Sequence, residues 1–303
     1  MTDRDAREGR AGAREETMLG RITVGLLFFL LVWGNLVAGL KAGLACPDWP
    51  LCHGKILPPF RWDIYMEFLH RVIAAVAGVA LLVLSTRRFR SYRGGARAIP
   101  LLAAGLLVAE VVMGGVVVLL QIPVQLTTVH FTTGIVIFLL AYYMMAFDGI
   151  ATPASFSWKG YPGLFFGMGV LVFLLAAMGA YVRHAGAGLS LPDWPTSLGG
   201  LLPGLLTGGV LLQFSHRVLA VLVALTIVAL WVATAVDDRL RSHRKMARAL
   251  VLLILAQIAV GGAVVLTRLY FLSTALHLAV ALGMLMMLAG MWVRELSAGG
   301  TSP

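Results

Sequence analysis

The sequence contains the same pattern twice, and this repeat restricts the fold more than any other feature. Glu67-Phe-Leu-His70-Arg71 returns as Gln213-Phe-Ser-His216-Arg217, an offset of 146 residues. Pro47-Asp-Trp-Pro50 returns unchanged as Pro192-Asp-Trp-Pro195. A period of this kind indicates that one structural unit is used twice.

Each copy of the pattern contains four apolar runs. The composition is 59% hydrophobic and only 13% charged, which is unusual for a water-soluble domain. A helix needs about twenty apolar residues to cross the hydrocarbon core of a bilayer, and backbone polar groups there must be satisfied within the helix. The sequence therefore predicts an all-α integral membrane protein with eight transmembrane helices at residues 21–41, 63–85, 99–121, 126–147, 162–183, 207–232, 248–267 and 273–293.

The spans divide at the repeat boundary. We expect a mobile cytoplasmic tail at residues 1–20 and an N-terminal four-helix bundle at 21–147. A cytoplasmic linker at 148–160 then leads to a C-terminal four-helix bundle at 161–295.

Basic residues predict the orientation of the spans. They crowd the segments after spans two and six, namely Arg87, Arg88, Arg90, Arg93, Arg97, Arg239, Arg241, Arg244, Lys245 and Arg248. The positive-inside rule then places both termini in the cytoplasm. These residues also account for the net charge of +10. Because the orientation of the spans accounts for this charge, nucleic-acid binding is not expected.

Four histidines occupy matching positions near one end of the predicted helices: His70, His130, His216 and His277. Polar side chains within membrane helices usually face the bundle interior and mark function, although a single one can simply bond a neighbouring helix. Zinc usually requires a third or fourth ligand, whereas a haem iron needs only two axial ligands. Two imidazoles per bundle therefore favour haem. His184 and His243 have no repeat partners and are expected on the solvated surface.

Other repeated residues fit a haem site or a simpler role. Gly114-Gly115 and Gly261-Gly262 allow either close helix packing or contact with a porphyrin. The guanidinium groups of Arg71 and Arg217 could bind haem propionates, or they could extend to lipid headgroups.

The two halves differ in their acids. Glu67 lies three residues before His70, so both project from one helix face, and its repeat partner is the neutral Gln213. We infer that Glu67 moves a proton or stabilises developing positive charge, the alternative being a hydrogen-bonded structural acid. Glu110 and Gln257 repeat this difference, as a proton relay or, more simply, as a contact between helices.

The two cysteines, Cys46 and Cys52, lie on either side of Pro-Asp-Trp-Pro-Leu in the first outer loop. On an oxidising face they can form a disulfide. Such a bond would hold the loop together, or it would pass electrons to a thiol–disulfide partner.

Taken in order, these motifs resemble haem A synthase, a membrane family of cytochrome oxidase assembly. The resemblance rests on Cys46-Pro-Asp-Trp-Pro-Leu-Cys52, on Glu67-Phe-Leu-His70-Arg71 and on the later histidines, and it covers residues of about 20–295. It implies two four-helix bundles related by pseudo-twofold symmetry in a bacterial or archaeal cell membrane. It also implies oxidation of a ring methyl of haem O, through hydroxylated intermediates, to the formyl group of haem A.

The resemblance further implies a role for each site residue. His70 and His130 would hold the substrate haem O, with Glu67 beside the reacting edge, and His216 and His277 would ligate a haem b cofactor. Candidate partners besides haem O and the lipid bilayer are haem O synthase and an electron acceptor or thiol–disulfide protein. Some members have a second cysteine pair near residues 190–198, which is absent in this sequence.

Two other functions fit paired haem ligands in a membrane. A b-type dihaem protein could oxidise a quinol by electron transfer alone, and a haem carrier would bind haem loosely and form no product. Prenyl transfer to haem is not expected, because it needs aspartate clusters and Asp237-Asp238 is the only such pair.

Overall fold

The computed structural model describes residues 3–150 and 152–299, with side chains described from Thr17 to Ser297. Eight long helices follow one another in the described chain: α1 Asp3–Gly39, α2 Trp62–Ser91, α3 Ala98–Leu119, α4 Val124–Ala146, α5 Gly160–His184, α6 Gly208–Val236, α7 Arg244–Leu266 and α8 Phe271–Gly299. Short 3₁₀ turns lie at Gly94–Arg97, Ala187–Leu189 and Arg241–His243. All eight helices contain stretches long and apolar enough to cross a membrane, which confirms the predicted fold class.

The outer surface of the helices is apolar. Val79, Val108 and Leu252 lie in the middle of three different helices, and each is more than 60% exposed. In water such side chains would add to an unfavourable apolar surface. They are instead the surface that a helix presents to lipid.

The helices form two closed rings. In the first half α1 contacts α2, α2 contacts α3, α3 contacts α4, and α4 returns to α1. Helices α5 to α8 contact one another in the same cyclic order. The halves meet where α1 packs on α8 and α4 packs on α5 and α8. Exchanging α1 with α5 and α4 with α8 leaves this set of contacts unchanged, as a twofold relation requires. The twofold relation itself stays a prediction.

Several helix boundaries differ from the sequence-based expectation, and those of α1 and α2 change the tail and the first basic segment. Helix α1 begins at Asp3, so helical backbone continues through most of the segment expected to be a tail. Helix α2 continues to Ser91, beyond the predicted end at residue 85, and so includes three of the basic residues expected in a loop. One of them, Arg88, is buried, and its Nε donates a hydrogen bond to the Met144 carbonyl at 2.6 Å.

The apolar core continues through both bundles. Two histidines near it lie in positions that differ from the sequence-based expectation. His243 is fully buried, with Nε2 2.6 Å from Oε1 of Glu295. The expectation that it lies on the solvated surface is wrong, because Phe165 of α5 and Glu295 of α8 lie against its ring. His184 is partly buried, and its Nδ1 lies 2.9 Å from the Thr128 hydroxyl, across the boundary between the halves.

Candidate functional site

Each Pro-Asp-Trp-Pro loop is held by its own aspartate. Both carboxyl oxygens of Asp48 accept backbone N–H bonds, including one from Gly54 at 2.7 Å. Asp193 accepts the equivalent bond from Gly199 at 2.8 Å. These backbone bonds lower the pKa of both aspartates. The contribution of these bonds to stability is therefore fully present above the ordinary aspartate pKa of about 4. It is lost as the pH falls through the lowered pKa of the folded protein.

The tryptophan of each loop packs on a helix glycine. A Cβ added at Gly115 of α3 would lie 2.6 Å from Cδ2 of Trp49. A Cβ added at Gly262 of α7 would lie 2.8 Å from the same atom of Trp194. Contacts this short are impossible for real side chains, so the loops need glycine at both positions. The second glycine of each Gly-Gly pair is thus accounted for by loop packing.

Replacing Gly115 with alanine is therefore expected to displace the first loop. We predict that Gly115→Ala lowers the stability of the detergent-solubilised protein by about 1–3 kcal/mol, the usual cost of overpacking. It should also speed tryptic cleavage at the exposed Lys55. The matched control is Gly105→Ala on the same helix, where a Cβ meets nothing within 4 Å. Equal melting temperatures for the two variants would contradict the packing described above.

The arginine after each early histidine binds loop carbonyls. The guanidinium of Arg71 donates to the carbonyls of Cys46 at 3.0 Å, Asp48 at 2.8 Å and Leu51 at 2.7 Å. Arg217 binds the equivalent carbonyls of the second loop, those of Leu191, Asp193 and Thr196. Each guanidinium therefore organises a loop. The contact with haem propionates suggested by the sequence stays a prediction.

Glu67 is buried beside the first loop, and only 3% of it is exposed. Its Oε2 accepts a hydrogen bond from the Cys46 backbone N–H at 2.8 Å. Its Oε1 accepts one from Nη2 of Arg71 at 2.6 Å. The carboxylate is therefore fixed between the loop backbone and a guanidinium, one turn before His70 on α2.

Gln213 makes the equivalent contact in the second half. Its Oε1 accepts from the Leu191 N–H at 2.6 Å, and its Nε2 donates to the Gly188 carbonyl at 2.8 Å. An amide is therefore sufficient to hold the loop. What the first half has in addition is a negative charge paired with Arg71.

Cys46 and Cys52 form a disulfide within the first loop, and both are buried. Leu191 and Ser197 occupy the equivalent positions of the second loop and are buried as well. The second loop thus keeps its form without a covalent bond. Exchange of the disulfide with a partner stays a prediction.

In the first half, each histidine lies against a glycine of the neighbouring helix. A Cβ at Gly34 of α1 would lie 3.0 Å from Cε1 of His70. A Cβ at Gly114 of α3 would lie 3.1 Å from Cε1 of His130. The first glycine of the Gly-Gly pair therefore makes room for an imidazole.

The second half repeats this arrangement. The corresponding distances are 2.9 Å between Gly179 and His216, and 3.1 Å between Gly261 and His277. Sequence reasoning missed the glycines at 34 and 179, although their offset of 145 residues matches that of the Pro-Asp-Trp-Pro loops.

The four imidazoles fit a haem-binding role. Nδ1 of each ring is buried and makes no hydrogen bond, although Oε1 of Glu110 lies 3.1 Å from Nδ1 of His130. Each histidine as a whole is only partly buried. Among residues 3–150 and 152–299, no group of three His, Cys, Asp or Glu side chains comes together as a metal site. Two histidines on opposite helices of each ring, α2 with α4 and α6 with α8, suit a porphyrin iron, which needs two further ligands.

Comparison with known proteins finds relatives that match most of this chain. Residues 3–142 match a family model described as cytochrome oxidase assembly protein. A protein of Symbiobacterium thermophilum named heme A synthase is 32% identical over 269 residues, covering 83% of this chain and 86% of the relative. The heme A synthase of Geobacillus thermodenitrificans is 28% identical, covering 84% and 83% of the two chains. That of Staphylococcus aureus is 25% identical, covering 88% and 90%.

Proposed function

Because the chain belongs to the haem A synthase family, we propose that it is a membrane oxidoreductase that converts haem O into haem A. The reaction oxidises a ring methyl of haem O to a formyl group through hydroxylated intermediates. The eight spans and the bacterial relatives support a multi-pass protein of the bacterial cell membrane. The basic segments support cytoplasmic termini, with the Pro-Asp-Trp-Pro loops outside.

The two halves divide the work in this proposal. The N-terminal bundle, residues 21–147, takes haem O between His70 and His130. The C-terminal bundle, residues 161–295, holds a haem b between His216 and His277. Each imidazole lies beside a glycine that lets the helices approach closely. The cofactor haem, when bound, supplies a redox centre that exchanges electrons with the first half.

The difference between Glu67 and Gln213 is the observation that supports placing the reaction in the N-terminal bundle. Both side chains hold a loop N–H, so loop structure alone does not require an acid. A buried carboxylate next to a haem ligand is costly in a membrane and usually marks function. Held by the Cys46 N–H and Arg71, it lies one helical turn before His70 on α2. There it accepts a proton from the reacting edge of the substrate, or stabilises positive charge that develops on it.

The test is a conversion assay with identified products. Membranes containing the protein are supplied with haem O, and the extracted haems are identified by mass spectrometry. We expect hydroxylated haem O followed by haem A, and neither in membranes without the protein. Unconverted haem O, together with a reversible redox response of two bound haems to quinol, would instead support the dihaem electron-transfer protein. Loss of all haem on washing with detergent would support a carrier.

A further inference from the structure

The second acid of the first half also lies beside a haem ligand. Oε1 of Glu110 on α3 is 3.1 Å from Nδ1 of His130 on α4. Glu110 and Gly114 are one helical turn apart on α3, so both face this imidazole. The other carboxyl oxygen of Glu110 is buried and has no hydrogen-bond partner. A buried acid needs a polar partner, and the imidazole of His130 is the polar group next to Glu110.

The second half has an amide in the same place. Nε2 of Gln257 on α7 lies 3.3 Å from Nε2 of His277 on α8, and Gln257 is the repeat partner of Glu110. A polar side chain beside the histidine is therefore kept in both halves, but the carboxylate lies beside Nδ1 of His130 and the amide beside Nε2 of His277.

The space around the carboxylate of Glu110 also differs from the space at the equivalent position of the second half. A Cβ at Gly134 on α4 would lie 3.2 Å from Oε1 of Glu110, which is tighter than most real contacts. The repeat partner of Gly134 is Ala281. The first half thus leaves room at this position for the group that lies beside His130.

We propose that Glu110 is a positioning residue that strengthens His130 as an electron donor to the iron of the haem bound in the first half. This inference rests on the proposed function, since it takes haem O as the ligand of that half. A carboxylate beside the distal nitrogen of a metal-bound histidine orients the ring and raises its basicity. Because the carboxylate also adds negative charge, it favours the ferric over the ferrous iron. Gln257 cannot do this, because an amide has no net charge.

The consequence is a difference in potential between the two haems. The haem of the first half is easier to oxidise than it would be beside an amide. Electrons that leave the first half therefore move more favourably toward the second half.

The experiment exchanges the two residues and measures both haem potentials. The purified protein, loaded with haem O, is titrated spectroelectrochemically as wild type, Glu110→Gln and Gln257→Glu. We expect Glu110→Gln to change the ferric-to-ferrous ratio of the first-half haem about tenfold toward ferrous, a rise of ~59 mV for one electron. The second-half haem should not change. Gln257→Glu should lower the potential of the second-half haem.

A purely structural role for Glu110 would alter haem content or stability without moving a potential. An unchanged first-half potential in Glu110→Gln overturns the proposal. If that variant binds no haem in the first half, Gln257→Glu decides, and an unchanged second-half potential overturns it. A wild-type protein that takes up no haem O contradicts the proposed function instead, and Gln257→Glu still tests whether an acid at this position tunes a haem.

Discussion

Glu67→Gln is expected to lower the rate of haem O conversion by roughly 10²–10⁴-fold, the usual contribution of a general acid or base. The variant should still fold, because the second half shows how glutamine fits this position. Gln213 accepts the loop N–H with Oε1 and donates Nε2 to the Gly188 carbonyl. The equivalent carbonyl in the first half belongs to Gly43.

The assay follows haem O, its hydroxylated forms and haem A in membranes, with haem content measured in the same preparations. The mirror variant Gln213→Glu is the control, and it should leave conversion within a few-fold of the wild type. Unchanged conversion in Glu67→Gln would reduce Glu67 to the structural role that it shares with Gln213. Reduced conversion accompanied by an equal loss of bound haem would contradict a catalytic role as well.

Arg71→Met is expected to destabilise the first half by about 3–5 kcal/mol, the cost of breaking a buried ion pair by removing one partner. Arg71 is the common partner of three loop carbonyls and of Glu67. Only 17% of its side chain and 5% of that of Glu67 are exposed, so solvent replaces few of these contacts. Methionine replaces the apolar part of the side chain and leaves the carboxylate without its cation.

Thermal unfolding in detergent and haem O conversion are the two measurements for this variant. Arg90→Met is the matched control, because Arg90 is exposed on the same helix. Arg217→Met should destabilise the second half by less, since no acid pairs with Arg217 among the residues that the structure describes. If Arg71→Met melted at the same temperature as Arg90→Met, the role of the guanidinium in the loop would be refuted.

The helices and the repeat could be predicted from the sequence because both depend on local patterns. An apolar run of about twenty residues specifies a membrane helix whatever its neighbours are. The recurrence of Pro-Asp-Trp-Pro likewise predicted two similar loops, and Asp48 and Asp193 make equivalent bonds in them. The helix ends were less accurate, since α2 continues through arginines that hydropathy assigns to a loop.

Contacts between elements could not be predicted in the same way. Nothing local to Gly115 indicates that a tryptophan from a loop some sixty residues earlier packs on it. Arg71 binds three carbonyls, and a carbonyl has no sequence signature. The burial of His243 depends on Glu295 and on the packing of Phe165 against its ring. The sequence shows an acid at positions 67 and 110 where the second half has an amide. It does not show which groups these acids contact.

The central claim is that each half holds one haem between its own pair of histidines and that the two haems differ. The most direct measurement extracts the tetrapyrroles from two double variants, produced with ample haem and haem O, and identifies them by mass. His216→Ala/His277→Ala should lose haem b and keep haem O or its products. His70→Ala/His130→Ala should keep haem b and lose haem O. If both variants retained both haems, or if the wild-type protein carried none, the two histidine pairs would not be the haem ligands of the two halves.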